Sequence, residues 1–127
     1  MKKSVIRTEN APAPFQGAPY NQAIRVGDLV FVAGQLGLKP GDTAVEGDVA
    51  VQTEQVMRNL AAILEASGSS LANLVKTSVF LHDLGDFQAM NEVYARHVGD
   101  RPPARSTFEV AKLPSGARVE IEAVAHT

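Results

Sequence analysis

The chain reads RPPARSTFEVAKLPSGARVEIEAVA from residue 101 to residue 125, and two segments of this stretch follow the two-residue period of a β-strand. In residues 105–111, Arg105, Thr107 and Glu109 share one face. The opposite face carries Ser106, Phe108 and Val110. This alternation predicts a half-buried strand whose ionisable groups lie together on one side of a sheet.

The second segment, residues 118–125, places Glu120 and Glu122 opposite a continuous apolar face. The link between the two segments contains Pro114 and Gly116, which suit a turn, so we predict that the two strands form a hairpin. Pairing about Leu113 and Pro114 would set Phe108 opposite Glu120.

That register brings Thr107 near Glu120 and Arg105 nearer Glu122, so strand geometry alone does not choose between the two glutamates. One interpretation is a surface sheet with an Arg–Glu cross-strand pair, which contributes about a few tenths of a kcal/mol. The functional interpretation is a site for an anionic molecule. A planar guanidinium binds a carboxylate through two parallel hydrogen bonds, and a partly desolvated glutamate beside it positions or deprotonates water.

The composition limits the possible classes of protein. With 127 residues, 45% of them hydrophobic, we predict a single domain over residues 1–127. The formal charge of -2 offers nucleic acid no general attraction, so nucleic acid is not expected as a partner. The sequence has no cysteine, which excludes disulfides, thiolate metal sites and cysteine nucleophiles. No apolar run approaches the length of a membrane span, so we expect a cytoplasmic protein without a membrane partner.

Two short segments before residue 34 predict a β-hairpin. Residues 21–26 and 29–33 are joined by Gly27 and Asp28, a two-residue connection typical of tight hairpin turns. Residues 4–8 are predicted to form another short strand, and the proline-rich stretch after it delivers Tyr20 to the start of the hairpin.

Two segments follow the helical period. From Asp48 to Ser67 an apolar stripe continues over five turns, with Asp48 as the predicted N-terminal cap. A second helix is predicted from Asp86, again as cap, to Val98. Between the helices, residues 74–81 form a nearly continuous apolar run that suits a central strand.

Six strands and two helices with one apolar stripe each predict an α+β fold, in which one mixed sheet carries both helices on one face. The chain has no further elements to cover the other face. We therefore predict self-association, for which a closed cyclic oligomer is the usual form.

No other group of residues in the sequence predicts a phosphate-binding, metal or covalent catalytic site. The glycine-rich residues 34–41 lack the spacing of a phosphate-binding loop, and their glycines fit tight turning or close backbone approach. The histidines at 82, 97 and 126 have no metal-ligand spacing, so no metal site is predicted. No serine or threonine has a neighbouring histidine base, which argues against covalent catalysis.

The sequence resembles the RidA (YjgF) enamine/imine deaminases over nearly its whole length. The matching blocks are ENAP at 9–12, PY at 19–20, GDLVFVAGQ at 27–35, VKTSVFLHDL at 75–84, residues 87–94, PARS at 103–106, LP at 113–114 and VEIEAVA at 119–125. Each block is short, but their occurrence in this order is specific to the family.

The resemblance implies a chorismate-mutase-like fold, assembled as a homotrimer with three clefts between subunits. It also implies hydrolysis of 2-aminoacrylate-type enamines and their imine tautomers to 2-keto acids and ammonia, without a cofactor. The implied partner is thus a small imine or enamine that carries a carboxylate.

The resemblance also implies roles for particular residues. The carboxylate-binding arginine corresponds to Arg105 and the water-orienting glutamate to Glu120, which resolves the choice between the two glutamates. The cleft tyrosine corresponds to Tyr20, the helix asparagine to Asn91, and a glycine whose backbone lines the pocket to Gly34.

Two positions depart from common family residues: Thr107 stands where some members have cysteine, and Ala33 where many have serine. Both are expected to line the substrate site, so the departures bear on substrate preference more than on the chemistry.

Two alternatives remain open at this point. Some members of the family are linked to translation inhibition and RNA cleavage, which would make this protein an RNA-associated or regulatory trimer. A deaminase for a larger substrate, such as 2-aminomuconate, is the other alternative.

Overall fold

The computed structural model describes residues 2–127 of the chain. The strands are β1 Lys3–Ile6, β2 Ala23–Val26, β3 Leu29–Leu36, β4 Leu74–Leu81, β5 Ala104–Glu109 and β6 Val119–His126, and the helices are α1 Val49–Ala66 and α2 Phe87–Val98. The predicted elements are all present, with bounds that differ by a few residues.

All six strands form one sheet in the order β1-β2-β3-β6-β4-β5. Only β4 and β5 are parallel, and the other neighbours are antiparallel, so the sheet is mixed as predicted. The two helices pack on one face, where residues of α1 and α2 share a core with the inward side chains of β3, β4 and β6. The predicted α+β architecture is confirmed.

The predicted hairpin of residues 105–111 and 118–125 is wrong. Both segments are strands, but β4 lies between them and pairs with each: Phe80 is opposite Phe108 on one side and opposite Glu120 on the other. β4 is central and buries Thr77, Val79 and Leu81 on its inward face, as expected of a strand with neighbours on both sides. The helix α2 supplies the crossover that a parallel β4–β5 pair requires, and residues 110–118 carry the chain past the end of β4.

The first helix begins as predicted. The Asp48 side chain accepts a hydrogen bond from the backbone nitrogen of Val51 at 3.0 Å, which satisfies one free amide of the first turn. The second helix does not begin as predicted, because Asp86 makes no capping hydrogen bond. Its carboxylate instead accepts from Arg118, with Nε at 2.9 Å and a terminal nitrogen at 2.7 Å, which ties the start of α2 to the start of β6.

The second face of the sheet is open among residues 2–127. Phe31 and Phe108 are 46% and 53% exposed, and Val5 on the same face is also exposed. Exposed apolar side chains on an open sheet face favour association, but the copy that would cover them stays a prediction.

None of the helices formed by residues 2–127 combines the length and the apolar character that a membrane crossing requires.

Candidate functional site

Arg105 lies on the edge strand β5, where it pairs with Thr77 of β4 and therefore points to the face that carries the helices. Its guanidinium carbon is 4.9 Å from the centroid of the Tyr94 ring and 5.5 Å from that of the Phe87 ring. Both rings belong to α2 and lie about two turns apart. The cation is thus held against aromatic faces at the margin of the packed layer.

The ring of Tyr94 is itself fixed. The tyrosine is 5% exposed and its hydroxyl lies 2.6 Å from the hydroxyl of Thr77, which is fully buried. Burial raises the pKa of Tyr94 above its usual value, so the phenol stays neutral. A neutral ring supports the guanidinium without neutralising its charge.

Asn91 shares a face of α2 with Phe87 and Tyr94, since it lies four residues after the first and three before the second. Its Oδ1 atom is buried and has no hydrogen-bond partner among the described residues. A buried amide oxygen without a partner is unfavourable unless another group reaches it, so this atom is available to a ligand or a neighbouring copy.

Thr107 follows Arg105 on β5 and pairs with the core residue Val79, which places it on the same helix-covered face. We call this group the Arg105 edge. Its members are Arg105, Thr107, Phe87, Asn91 and Tyr94.

Glu120 lies on the other face of the sheet. It alternates with the core residues Val119 and Ile121 on β6, and its partner on β3 is Leu36. Between Val32 and Gln35 the β3–β6 register shifts, so β3 contains one extra residue there and bulges.

The bulge places Gly34 directly against the Glu120 carboxylate. A Cβ atom at Gly34 would lie 2.6 Å from Oε2 of Glu120 and 2.9 Å from its carboxyl carbon. Only a glycine leaves room for this carboxylate, and this is the close backbone approach predicted for the glycines of this stretch.

Glu120 forms one wall of a cavity of about 380 Å³. The lining residues are Phe15, Ala18, Tyr20, Ala33, Gly34, Leu36, Pro114 and Glu120. We call this the Glu120 cavity. It brings together four of the residues that the sequence predicted: Tyr20, Ala33, Gly34 and Glu120.

Burial raises the pKa of Glu120, and the neighbouring charge of Glu122 raises it further. The carboxylate has no salt bridge among residues 2–127. A desolvated glutamate without a cationic partner binds a proton more readily than an exposed one, which is the property that a general base requires.

The proline-rich loop forms the outer wall of the cavity and is held by Gln22, a buried residue that sequence reasoning missed. Its side-chain nitrogen donates to the backbone oxygens of Thr8, Ala11 and Pro12, and its oxygen accepts from the Thr8 nitrogen. The hydroxyl of Tyr20 accepts from the backbone nitrogen of Phe15. These hydrogen bonds connect the loop to the start of β2 and hold Tyr20 within it.

The two groups do not meet within one chain. Arg105 and Glu120 lie on opposite faces, and β4 separates their strands. The predicted proximity of Arg105 to Glu120 or Glu122 is wrong for a single chain. The aromatic support from Phe87 and Tyr94 was also missed, since their helical spacing indicated only a core stripe.

Comparison with known proteins gives the family. The family described as Endoribonuclease L-PSP matches residues 8–127. A RutC family protein of Pyrococcus horikoshii, PH0854, is 49% identical over 98% of both chains. The chloroplastic Reactive Intermediate Deaminase A of Arabidopsis thaliana is 48% identical over 98% of this chain and 66% of its own. The human 2-iminobutanoate/2-iminopropanoate deaminase is 41% identical over 97% of this chain and 89% of its own.

Solved structures agree in fold. RidA from the Antarctic bacterium Psychrobacter sp. PAMC 21119 superposes with a TM-score of 0.93 at 41% identity and covers 98% of this chain and 99% of its own. TdcF of E. coli with bound serine superposes with a TM-score of 0.90 at 36% identity over 98% of both chains. The matched family, these relatives and the shared fold lead to one conclusion: the chain belongs to the RidA (YjgF) family.

Proposed function

We propose that this protein hydrolyses small imines and enamines that carry a carboxylate, releasing a 2-keto acid and ammonia. The observation that carries the proposal is Glu120, a desolvated carboxylate with a raised pKa that faces a cavity and has no cationic partner among residues 2–127. Two relatives named as deaminases support the same class of reaction.

Arg105 is the proposed binding group for the substrate carboxylate. No carboxylate of residues 2–127 lies within ion-pair distance of its guanidinium, so its charge is free for a ligand. The related TdcF structure contains bound serine, a small molecule of the same carboxylate-bearing class.

The separation of Arg105 from Glu120 leads to a proposal about assembly. If both act on one substrate, the Arg105 edge of one copy must meet the Glu120 cavity of another, because the sheet separates them within a chain. The exposed Phe31 and Phe108 on the open face favour such an association. We propose a closed homotrimer with its sites in the clefts between subunits, where Tyr20, Ala33 and Gly34 from one copy face Asn91 and Thr107 from the next.

The proposed reaction uses few groups. Arg105 holds the carboxylate, and Glu120 accepts a proton from water as the water oxygen attacks the imine carbon. Glu120 then gives this proton to the imine nitrogen as the C=N bond becomes single, which forms the carbinolamine. The carbinolamine hydroxyl loses its proton to the nitrogen as the C=O bond forms, the C–N bond breaks and ammonia leaves. Positioning and acid–base help of about 10²–10⁴-fold from Glu120 suffice, since such imines also hydrolyse without an enzyme.

The test is the release of ammonia and keto acid from imines generated in situ by an amino-acid oxidase. We expect wild-type protein to accelerate the release and Arg105→Ala protein to lose the acceleration. An unchanged rate with Arg105→Ala would refute the role given to Arg105, and no acceleration by wild-type protein across a panel of imines would refute the proposed function. Including 2-aminomuconate in the panel tests the larger-substrate alternative.

RNA cleavage is a second candidate, because the matching family is described as Endoribonuclease L-PSP. Binding or cleavage of RNA that weakens with salt and survives Arg105→Ala would favour it. The net charge of -2 gives RNA no general attraction, so the deaminase proposal is preferred.

A further inference from the structure

We infer that Tyr94 is a positioning residue for Arg105: its ring, anchored to Thr77, orients the guanidinium so that the substrate carboxylate meets a preformed binding group. This inference rests on the proposed function and assigns a role to a residue that the proposed mechanism does not use.

The guanidinium of Arg105 lies over two aromatic rings of α2. The guanidinium carbon lies 4.9 Å from the Tyr94 ring centroid and 5.5 Å from that of Phe87, within the range of cation–π attraction. An aromatic ring attracts the cation but, unlike a carboxylate, does not form two parallel hydrogen bonds with it. The guanidinium can therefore still form such a pair of bonds with a carboxylate ligand.

The ring of Tyr94 is anchored through its hydroxyl. The Tyr94 hydroxyl is 2.6 Å from the Thr77 hydroxyl, and Thr77 pairs with Arg105 across β4 and β5. The helix α2, the central strand and the edge strand are thus linked through one ring. An unsupported arginine on an edge strand would lose side-chain freedom when it binds a ligand, and this arrangement removes much of that cost beforehand.

The positive charge of Arg105 has no carboxylate partner among residues 2–127. A carboxylate partner would also orient Arg105, but it would compete with the substrate for the same N–H groups. Among residues 2–127 no carboxylate takes that place. Burial raises the pKa of Tyr94, so the phenol does not become an anionic partner in its stead. The rings therefore supply orientation without an anionic group that competes with the ligand for Arg105.

The expected kinetic signature is a rise in KM with little change in kcat, because the carboxylate is held equally in the ground state and the transition state. Tyr94→Leu removes the ring and should raise KM about tenfold, the middle of the range for a cation–π contact. Phe87→Leu should raise KM about threefold, since that ring is more distant. Tyr94→Phe keeps the ring, loses the anchor and should also raise KM about threefold.

Binding gives a second readout that does not depend on turnover. Calorimetry with 2-oxobutanoate, a keto acid of the proposed product class, should show the same ranking of Kd values. Met90→Ala is the matched control, because Met90 is a fully buried residue of α2 that is not among the residues stacked on Arg105. It should lower Tm without changing KM or Kd.

Tyr94 is buried, so removing its ring also affects folding. If Tyr94→Leu protein does not fold, the test uses Tyr94→Phe and Phe87→Leu, since Phe87 is half-exposed. The inference is overturned if wild-type protein is active, Arg105→Ala protein is inactive, and these variants keep wild-type KM and Kd. It is also overturned if they match the Met90→Ala control. If wild-type protein binds 2-oxobutanoate through Arg105 but releases no ammonia, the proposed function fails and the inference about Tyr94 is still decided by Kd. If wild-type protein neither turns over imines nor binds 2-oxobutanoate, both fall.

Discussion

Arg105 is held from within the packed layer by two rings of α2, one of which is fixed by a hydroxyl of β4, whereas Glu120 is held from the open side of the sheet. There a glycine backbone and a proline-rich loop surround the carboxylate. The cation therefore depends on core packing and the anion on a bulge and a loop. Two groups proposed for one reaction thus have separate structural supports, and they can be damaged separately.

The largest effects on activity are expected for substitutions of Arg105 and Glu120. These variants test whether the Arg105 edge and the Glu120 cavity act on one substrate. Arg105→Ala and Glu120→Gln should each lower kcat/KM by about 100-fold or more, as expected for loss of a carboxylate clamp or a general base. Co-expressing the two inactive variants should restore about a quarter of wild-type activity. Three quarters of randomly mixed trimers are hybrids, and each hybrid contains one intact site of its three.

The control is a mixture of the two variants purified and assembled separately. If co-expressed protein is no more active than that mixture, the proposal of sites shared between subunits is wrong.

The next effect concerns the acid limb of the pH profile. Glu120 must be ionised to act as a base, and its pKa is raised, so kcat/KM should begin to fall at a higher pH than for an ordinary carboxylate. Glu122→Gln removes the second cause of the raised pKa and should move this limb to lower pH, while kcat at high pH stays unchanged. If the acid limb of the Glu122→Gln profile does not move, the assignment of this limb to Glu120 is wrong.

The same raised pKa affects stability in a defined direction. The folded protein binds this proton more tightly than the unfolded chain, so the stabilisation is complete below the unfolded pKa and is lost as pH rises through the folded pKa. Glu120→Gln protein should therefore be more stable than wild type at neutral pH in urea denaturation, although it is less active. Equal or lower stability would show that the carboxylate is better solvated than its surroundings indicate.

A smaller effect is expected at Gly34. A methyl group there would meet Oε2 of Glu120 at 2.6 Å, and the flexible end of the glutamate would move away. We expect Gly34→Ala to lower kcat about tenfold, since catalytic groups tolerate little misplacement. The Kd for 2-oxobutanoate, set by Arg105, should change much less, and an equal loss of binding and turnover would argue against separate supports.

The smallest effects on activity are expected for the anchors. Thr77→Val leaves the buried Tyr94 hydroxyl without its partner and should lower the free energy of unfolding by about 1–3 kcal/mol. Gln22→Ala removes the side chain that holds the proline-rich loop and should cost a similar amount. Urea denaturation measures both. Combining Thr77→Val with Tyr94→Phe should recover part of the loss, and a fully additive loss would contradict the pairing.

Sequence reasoning predicted the elements better than their partners. The helical stripe of α1 and the two-residue period of β5 and β6 are local properties, and they gave the right elements. A period does not identify the neighbouring strand, so the insertion of β4 between β5 and β6 was missed. The same limit explains why Arg105 was placed close to Glu120 and Glu122.

The Asp86 cap failed for a similar reason. A capping residue type is a local signal, but Arg118 is distant in sequence and takes up this carboxylate. The bulge at Gly34 and the anchoring of Tyr94 by Thr77 likewise depend on strand register and on helix packing. Resemblance to the family identified candidate residues, but not that one sheet separates them.

The bulge in β3 also separates two kinds of change that the chain can undergo. From Val32 to Gln35 the strand advances three residues while β6 advances two, and both ends keep their inward side chains in phase with β6. Substitutions at Ala33 therefore change the wall of the Glu120 cavity without forcing the helices to repack. If the proposed substrate binds in this cavity, substrate preference can diverge at this position at little structural cost.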